Sequence, residues 1–184
     1  MLETIDELKQ SIKDCKKCKL CSTRQNIVFG VGNEQAEIMF IGEDPGGDED
    51  KLGEPFVGKA GQLMNKAFDV VGIKREEVYM ANIIKCKPPH NRAPEEDEVT
   101  ACMDYLRNQV MIIKPKIIVL LGRIALQNIL GKEYKISLVR GNWIEKKGIM
   151  YMPTWHPAAL LRDEFKKIEF LNDLKKIKNI KKET

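Results

Sequence analysis

The sequence has no apolar run that approaches the roughly 18–20 residues that a membrane-spanning helix requires. Residues 1–11 are polar and acidic, without the basic start or the apolar stretch of a secretory signal. Internal repeats and low-complexity linkers are also missing, and 184 residues are a usual length for one domain. We therefore expect a single domain over residues 1–184, located in the cytoplasm and without a membrane partner.

The chain carries little excess charge, with 31 Lys and Arg residues against 27 Asp and Glu residues and a net charge of +4. Much of this excess lies in residues 166–182, so the charge permits nucleic-acid binding without demonstrating it. The five cysteines of a cytoplasmic chain face a reducing compartment. That setting argues against structural disulfides and favours metal binding or catalysis.

Apolar segments, most of them closed by glycine or asparagine, alternate along the chain with segments of helical spacing. Strands that are apolar throughout and separated by helices indicate a parallel sheet covered on both faces. The sequence therefore predicts an α/β fold, a three-layer α/β/α sandwich with a central four-stranded parallel sheet. The strands are expected at 37–41, 78–82, 116–121 and 149–152, and the helices at 4–14, 59–71, 94–113, 124–130 and from Glu164 onward.

The tail from Glu164 has the spacing of an amphipathic helix, with lysines between its apolar positions. We expect the apolar face to pack on the body of the protein, and the lysines to form either a solvated face or a contact to DNA. The residues predicted to share the apolar face are Phe165, Ile168, Leu171, Leu174 and Ile177.

Three of the four predicted strand ends, where ligands bind in parallel sheets, are followed by chemically unusual residues. Gly42 follows the first strand and lets the backbone approach a ligand closely. Glu43 and Asp44 come next, and adjacent carboxylates can position or deprotonate a water molecule. The alternative is a plain acidic turn, because Asp-Pro-Gly is favourable turn chemistry.

Three further side chains are suited to recognising a base. Phe56 lies in a loop bracketed by proline and glycine, where an aromatic ring either stacks on a base or folds back onto the core. Asn82, at the second strand end, either reads a base edge with its amide or is a satisfied buried asparagine. His156, one of two histidines, follows the last strand and could stabilise a departing anion by hydrogen bonding.

The cysteines fall in two regions of the chain. Cys15, Cys18 and Cys21 form a Cys-x-x-Cys-x-x-Cys run, and Cys86 and Cys102 lie far downstream. Four thiolates gathered from two regions suit either a tetrahedral zinc ion or a cubane iron–sulfur cluster, and the spacing alone does not choose between them. The remaining alternative is a set of buried or incidental thiols.

Taken in order, these motifs resemble those of the family 4 uracil-DNA glycosylases, which carry a [4Fe–4S] cluster. The resemblance covers about residues 15–165. It implies a uracil-DNA glycosylase-like fold and a DNA-repair enzyme that flips uracil out of single- or double-stranded DNA and hydrolyses its N-glycosidic bond. The similar segments are the Cys-x-x-Cys pair, Gly-Glu-x-Pro-Gly at 42–46, Pro-Phe-Val-Gly-Lys-Ala-Gly-Gln-Leu at 55–63, Cys-Lys-Pro-Pro-x-Asn-Arg at 86–92 and His-Pro-Ala-Ala-Leu at 156–160.

The resemblance also implies roles for the base-binding residues. Phe56 would stack on the flipped uracil, Asn82 would read its edge, and His156 would stabilise the uracil anion as it leaves. By analogy with the leucine at the same offset from the histidine in the larger superfamily, Leu160 would be the wedge that fills the gap in the duplex. Gly42 would lie against the substrate. No lysine stands at the position of the attacking water, so we expect a monofunctional enzyme that leaves an abasic site, acting as a monomer at the nucleoid.

For the cofactor, the resemblance implies a [4Fe–4S] cluster with four of the five cysteines as its ligands. Those ligands would be Cys15, Cys18, Cys86 and Cys102, with Cys21 a neighbour that does not ligate. Ligation would tie the N-terminal segment to the long connection between the two downstream cysteines.

One departure from the family pattern concerns the carboxylates. Family 4 enzymes have alanine or glycine where this chain has Asp44, whereas family 1 enzymes carry an aspartate there that positions the attacking water. We therefore expect Asp44 to be the principal catalytic carboxylate, supported by Glu43. The family also implicates an acid further along the loop, which corresponds to Glu49 here.

Two other classes of protein compete with this interpretation. One is a non-catalytic DNA-binding or polymerase-associated module with the same fold, and the other is a zinc-containing nucleotide-binding protein. The carboxylates beside the predicted base pocket argue against both, because a protein that only binds has no use for them.

Overall fold

The structure, a computed structural model, describes residues 3–183 of the chain and the side chains of residues 3–180. Six strands within that range form one sheet in the order β1-β3-β2-β4-β6-β5. The four central strands are parallel, and the short strand at each edge is antiparallel to its neighbour. The strands are β1 (Val31–Gly32), β2 (Ile38–Gly42), β3 (Tyr79–Asn82), β4 (Ile117–Leu121), β5 (Ile144–Lys146) and β6 (Ile149–Thr154).

The helices connect these strands and cover the sheet. Three 3₁₀ turns, at 19–22, 75–77 and 89–91, lie in the connections. No helix within residues 3–183 combines the length and the apolar character that a membrane crossing requires. The α-helices are α1 (Ile5–Ile12), α2 (Gly47–Leu52), α3 (Lys59–Val71), α4 (Glu96–Ile113), α5 (Gly122–Ile129), α6 (Ile136–Val139), α7 (Pro157–Leu160) and α8 (Glu164–Glu183).

Local signals at the helix ends explain why the longer helices were predictable. Thr4 and Glu7 form a reciprocal capping box at the start of α1, and Glu95 and Glu98 form one at the start of α4. Gly72, in the left-handed conformation with φ 76°, ends α3. These ends lie within about two residues of the predicted ones, so the predicted helices are confirmed.

The alternation of side chains along the central strands divides the core into two layers. On β2, Met39 and Ile41 face a cluster built mainly from α1, α4 and α5, whereas Ile38 and Phe40 face a cluster built from α3, α7 and α8. The three-layer α/β/α sandwich with four central parallel strands is therefore confirmed. The two edge strands were not predicted, because their exposed segments lack an apolar run.

Helix α8 is present, and its predicted apolar face is confirmed for Leu171, Leu174 and Ile177 but wrong for Phe165 and Ile168. Phe165 is 82% exposed and Ile168 is 58% exposed, whereas Phe170, Asp173 and Leu174 are fully buried. Ile177 is also buried, as predicted, and Leu171 is partly buried. The buried stripe includes an aspartate whose partners lie elsewhere in the chain, so a search for apolar residues alone selects a rotated face.

Candidate active site and cysteine cavity

The predicted base-binding residues lie together at one end of the sheet, where three parallel strands have their carboxyl ends. Gly42 at the end of β2 pairs with Asn82 at the end of β3. His156 follows β6, and a Cβ built on Gly122, the residue after β4, would lie 2.9 Å from the His156 Cβ. These residues are therefore neighbours, as expected at the carboxyl ends of parallel strands, where ligands bind.

Gly42 occupies a space that a larger residue could not share with its neighbours. A Cβ at this position would lie 2.6 Å from Asn82 Oδ1 and 2.6 Å from Phe56 Cζ, closer than real Cβ contacts come. Phe56 and Asn82 therefore converge on the Gly42 backbone, and only glycine allows this approach.

The loop that carries Phe56 is held rigidly. Phe56 adopts a left-handed backbone conformation with φ 55°, which is unusual for a bulky residue. Arg75 stabilises it by donating to the carbonyls of Pro55 at 2.7 Å and Phe56 at 2.8 Å. A Cβ on Gly61 would lie 2.0 Å from the Phe56 carbonyl oxygen, so residue 61, in the first turn of α3, must be glycine. The Phe56 ring is buried, and its centroid lies 6.1 Å from that of His156.

Asn82 is buried, and its Oδ1 atom accepts no hydrogen bond. A buried acceptor without a partner costs about 1–3 kcal/mol, so native structures leave few of them. The atom lies beside Gly42 and Phe56 at the strand edge. This arrangement presents an acceptor to a ligand that has an N–H or O–H donor.

The protonation state of His156 follows from its surroundings. Its Nδ1 atom accepts a hydrogen bond of 3.0 Å from the Ala158 amide, so the neutral ring carries its proton on Nε2. Burial lowers the pKa of His156 to about 4, and the Glu49 carboxylate opposes this shift only in part. His156 is therefore a neutral hydrogen-bond donor through Nε2 at neutral pH.

The two adjacent carboxylates lie in an environment that favours their neutral forms. Burial raises the pKa of Asp44 to about 7, with further contributions from Glu43 and Glu49, while Lys87 opposes the shift. Burial also raises the pKa of Glu43, which the Arg123 guanidinium opposes. Perturbed carboxyl groups at a strand edge are typical of catalytic sites. Asp44 can therefore exchange a proton near neutral pH.

Glu49 connects the acidic loop to the Phe56 loop. Its Oε1 atom accepts hydrogen bonds from the Val57 amide at 3.2 Å and the Gly58 amide at 3.0 Å. Gly58 is the N-cap of α3, so this carboxylate also satisfies amides at a helix start. Its described contacts thus hold the two loops in place, and a contact to substrate stays a prediction.

On the other side of the sheet, the four predicted ligand cysteines line one cavity. Cys86 and Cys102 are buried, and Cys15 and Cys18 are partly buried. Cys21 is not among the residues that line the cavity. Polar groups contact the sulfurs of the two downstream cysteines: Arg24 donates to Cys86 Sγ at 3.5 Å, and the Lys85 amide donates to Cys102 Sγ at 3.3 Å.

The arrangement of the thiols bears on whether the cavity suits a zinc ion or an iron–sulfur cluster. Within residues 3–180, no three Cys, His, Asp or Glu side chains converge closely enough to hold a single metal ion. Four thiols spread around one cavity instead suit a polynuclear cluster, whose irons are bound separately. Burial raises the pKa of Cys86 to about 11, so a positive metal centre is needed to hold this group as a thiolate. These residues fit an iron–sulfur cluster better than a zinc ion.

Comparison with known proteins decides the family. Residues 29–176 match the family model described as the uracil DNA glycosylase superfamily. The chain belongs to this superfamily. It is 45% identical to a type-4 uracil-DNA glycosylase of Sulfurisphaera tokodaii, a match that covers 92% of this chain and 86% of the relative. It is also 45% identical to the type-4 enzyme of Archaeoglobus fulgidus, over 96% of this chain and 92% of the relative.

A third relative extends this similarity to almost the full length of both chains. The type-4 uracil-DNA glycosylase of Thermotoga maritima is 43% identical, and the match covers 98% of this chain and 97% of the relative. The chain therefore belongs to the type-4 group of the superfamily. The resemblance drawn from the sequence motifs is confirmed, and so is the fold that it implied.

One expectation taken from the larger superfamily needs correction. Leu160, predicted to be the wedge, is 1% exposed and packs in the core layer that contains α3 and α8. A side chain that fills the core cannot also enter a DNA duplex. The next residue, Leu161, is the C-cap of α7 and is 44% exposed, and Phe165 beyond it is 82% exposed. The exposed apolar side chains that follow Leu160 most closely are thus one and five residues further along.

Sequence reasoning missed the residues that hold the His156 segment in place. Thr154 donates from Oγ1 to Asp173 at 2.7 Å, and Arg140 binds both carboxylate oxygens of Asp173 at 2.6 and 3.1 Å. Trp155 donates from Nε1 to Glu169 at 2.7 Å. Helix α8 therefore anchors the two residues that precede His156. A signal existed in the sequence, since Asp173 interrupts the apolar stripe of an otherwise amphipathic helix.

Proposed function

We propose that this protein excises uracil from DNA by hydrolysing the N-glycosidic bond and leaves an abasic site. The type-4 uracil-DNA glycosylases that it resembles support this activity. The observation that carries the proposal is the unpartnered Oδ1 atom of buried Asn82, set beside Phe56 and Gly42.

Recognition of uracil follows from the hydrogen-bonding pattern of that atom. The N3 atom of uracil carries a hydrogen and donates, whereas the N3 atom of cytosine is an acceptor. Asn82 Oδ1 gains a partner when uracil enters, and it faces a second acceptor when cytosine enters. Leaving a buried acceptor unpaired costs about 1–3 kcal/mol, so the wrong base binds more weakly.

Access to the glycosidic bond requires the nucleotide to leave the stack, because the bond cannot be reached inside a duplex. Phe56 stacks on the flipped base, with its backbone fixed by the Arg75 and Gly61 contacts. Leu161 rather than Leu160 fills the gap left in the duplex, since its side chain is exposed beside the His156 segment. The basic residues of α8 support binding to phosphates.

Bond cleavage develops negative charge on uracil and positive charge on the sugar. Neutral His156 donates from Nε2 to the departing uracil oxygen, as a hydrogen bond that strengthens while charge builds up. The ionised carboxylate of Asp44 stabilises the sugar cation and orients a water molecule onto C1′, with Glu43 in support. Water is the nucleophile in this proposal and no bond forms between the protein and the sugar, so we expect a monofunctional enzyme.

The cofactor of this proposal is a [4Fe–4S] cluster held by Cys15, Cys18, Cys86 and Cys102. When bound, the cluster supplies a structural link between the N-terminal segment and the connection that precedes α4. Arg24 and the Lys85 amide stabilise the sulfurs by hydrogen bonding. The uracil-excising residues lie outside the cavity that the cysteines line.

We further propose that residues 1–184 act as one domain and as a monomer, in the cytoplasm on nucleoid DNA. Two core layers share a single sheet, which supports one domain. Both single- and double-stranded DNA that contain uracil are expected substrates, because the pocket reads the flipped base and not its partner strand.

The test is cleavage of an end-labelled oligonucleotide with one uracil by the purified protein, followed by alkali, with a cytosine oligonucleotide as control. The proposal predicts strand breaks at uracil that depend on alkali. Breaks without alkali would contradict the monofunctional assignment. Binding without cleavage by protein with full iron content would instead favour the non-catalytic DNA-binding module.

A further inference from the structure

Lys85 is a fully buried lysine three residues beyond Asn82. Its ammonium group donates to the Asn82 carbonyl at 3.0 Å and to Gln109 Oε1 at 2.7 Å. Its backbone is also paired, because the carbonyl accepts from the Val28 amide at 2.7 Å. Every part of this residue is therefore fixed within the protein.

Both acceptors of the ammonium group are neutral, one a backbone carbonyl and one a side-chain amide. Burying a charged group is expensive compared with burying an apolar side chain, and Cys102 is the group that favours the charged form of Lys85. An apolar residue of similar length would fill the same volume without that cost. A lysine at this position therefore indicates that the hydrogen bonds of its ammonium group to Asn82 and Gln109 are required.

Gln109 extends the contact to other parts of the core. Its Nε2 atom donates to the Phe29 carbonyl at 2.8 Å and to the Tyr79 hydroxyl at 3.2 Å. Gln109 lies on α4, and Tyr79 begins β3, the strand that ends in Asn82. The Lys85–Gln109 pair thus joins the last carbonyl of β3 to the helix that packs against it.

Asn82 needs such support because of its place at the end of the strand. Its Oδ1 atom has no hydrogen-bond partner in the protein, so no hydrogen bond to that atom orients the side chain. The direction of the amide must then be set by the backbone and by packing against Gly42 and Phe56. A fixed carbonyl fixes the peptide plane and, with it, the direction of the Cα–Cβ bond, and packing against Gly42 and Phe56 then limits the rotation of the amide.

We propose that Lys85 is a positioning residue for base recognition: by holding the Asn82 carbonyl against Gln109, it aims the Asn82 amide oxygen at the N3 hydrogen of uracil. This inference rests on the proposed role of Asn82. Lys85 does not touch the base, and it acts only through Asn82.

The test uses Lys85→Met, a substitution that keeps the length of the side chain and removes the donor. Inhibition of excision by free uracil reports on base recognition alone. We expect the inhibition constant of uracil and the KM to rise about tenfold, which corresponds to loss of one hydrogen bond to a charged group. Affinity for abasic DNA, which lacks the base, should stay within about twofold of wild type.

A double-mutant cycle with Asn82→Ala distinguishes positioning from general support of the fold. If Lys85 acts through Asn82, Lys85→Met has no further effect on uracil inhibition when Asn82 is already alanine. A structural role would lower the melting temperature equally in both backgrounds and leave uracil inhibition of the folded protein unchanged. Lys116→Met, at the opposite end of the sheet in an exposed pair with Glu37, is the matched control and should behave as wild type.

Gln109→Leu provides a second variant if Lys85→Met does not fold, since it removes one acceptor and retains the ammonium group. It should weaken uracil inhibition in the same direction by about threefold. Iron content per chain is measured for each variant, because Lys85 neighbours Cys86 and Cys102. An unchanged uracil inhibition constant in the folded variant overturns the role of Lys85 alone. Failure of the wild-type protein to excise uracil would overturn the proposed function and this inference together.

Discussion

The rings of Phe56 and His156 lie with their centroids 6.1 Å apart and their planes tilted by 32°. The two residues come from loops that follow different elements, and each loop is fixed by its own partners. Arg75 holds the Phe56 loop, and Asp173 holds the His156 segment through Thr154. The proposed base-binding site is thus built on contacts that lie outside the recognisable motifs.

The unpartnered acceptor of Asn82 predicts opposite effects of one substitution on stability and activity. Asn82→Leu removes a buried polar atom that has no partner, so the free energy of unfolding should rise by about 1 kcal/mol. Uracil excision should fall at least about tenfold, because the N3 hydrogen loses its acceptor. Thermal unfolding and single-turnover cleavage measure the two quantities. A variant that is both less stable and fully active would contradict this role.

The raised pKa of Asp44 predicts the pH dependence of excision. The carboxylate form is the active one, so the rate constant should rise with pH and level off above the pKa of about 7. Asp44→Asn should abolish this dependence and lower the plateau about 100-fold. Single-turnover rates at a series of pH values test both statements. A loss within a few-fold of wild type would reassign the role to Glu43.

The same pKa has a consequence for stability. Because folding raises the pKa of Asp44 from 3.8 to about 7, the protonated form is favoured in the folded state. The stability contributed by this group is therefore present in acid and is lost as the pH rises through about 7. Asp44→Asn should be more stable than wild type above that pH and similar to it in acid. Equal unfolding midpoints at high pH would argue that the carboxyl group is not buried.

Asp173 is expected to support catalysis from a distance. Asp173→Asn removes the buried carboxylate that Arg140 binds and leaves the partly exposed Arg140 with Glu169 at 3.5 Å, so stability should fall by about 2 kcal/mol. The His156 segment loses its anchor, and we expect the rate constant to fall more than the substrate affinity. Asp104→Asn, in an exposed pair with Arg107 on α4, is the control and should change stability by less than about 0.5 kcal/mol.

The two leucines after His156 should separate core packing from DNA contact. Leu160→Ala should lower the free energy of unfolding by about 2–4 kcal/mol, because its side chain is buried. Leu161→Ala should leave stability unchanged and slow excision from double-stranded DNA more than from single-stranded DNA. Urea unfolding and the two cleavage rates test this pair. Equal rates on both substrates for Leu161→Ala would exclude it as the wedge.

Much of the fold was predictable because its signals are local. Helix α3 has its expected ends, since a glycine in the left-handed conformation closes it at Gly72. The central strands were recognised as continuous apolar runs, and their carboxyl ends then predicted that Gly42, Asn82 and His156 would meet. That step needs only the geometry of parallel sheets.

What the sequence could not provide depends on partners distant in the chain. The buried face of α8 includes Asp173, which is acceptable there only because Arg140 and Thr154 reach it. Leu160 was assigned by its offset from His156, but its burial depends on packing against α3 and α8. Lys85 resembles an ordinary charged residue until its two neutral acceptors are located.

Competition by free bases tests most directly whether Asn82 Oδ1 reads the N3 hydrogen of uracil. The measurement is inhibition of single-uracil oligonucleotide cleavage by uracil, cytosine and 3-methyluracil, in which a methyl group replaces that hydrogen. The account predicts inhibition by uracil and at least about tenfold weaker inhibition by the other two bases. Equal inhibition by uracil and 3-methyluracil would contradict it.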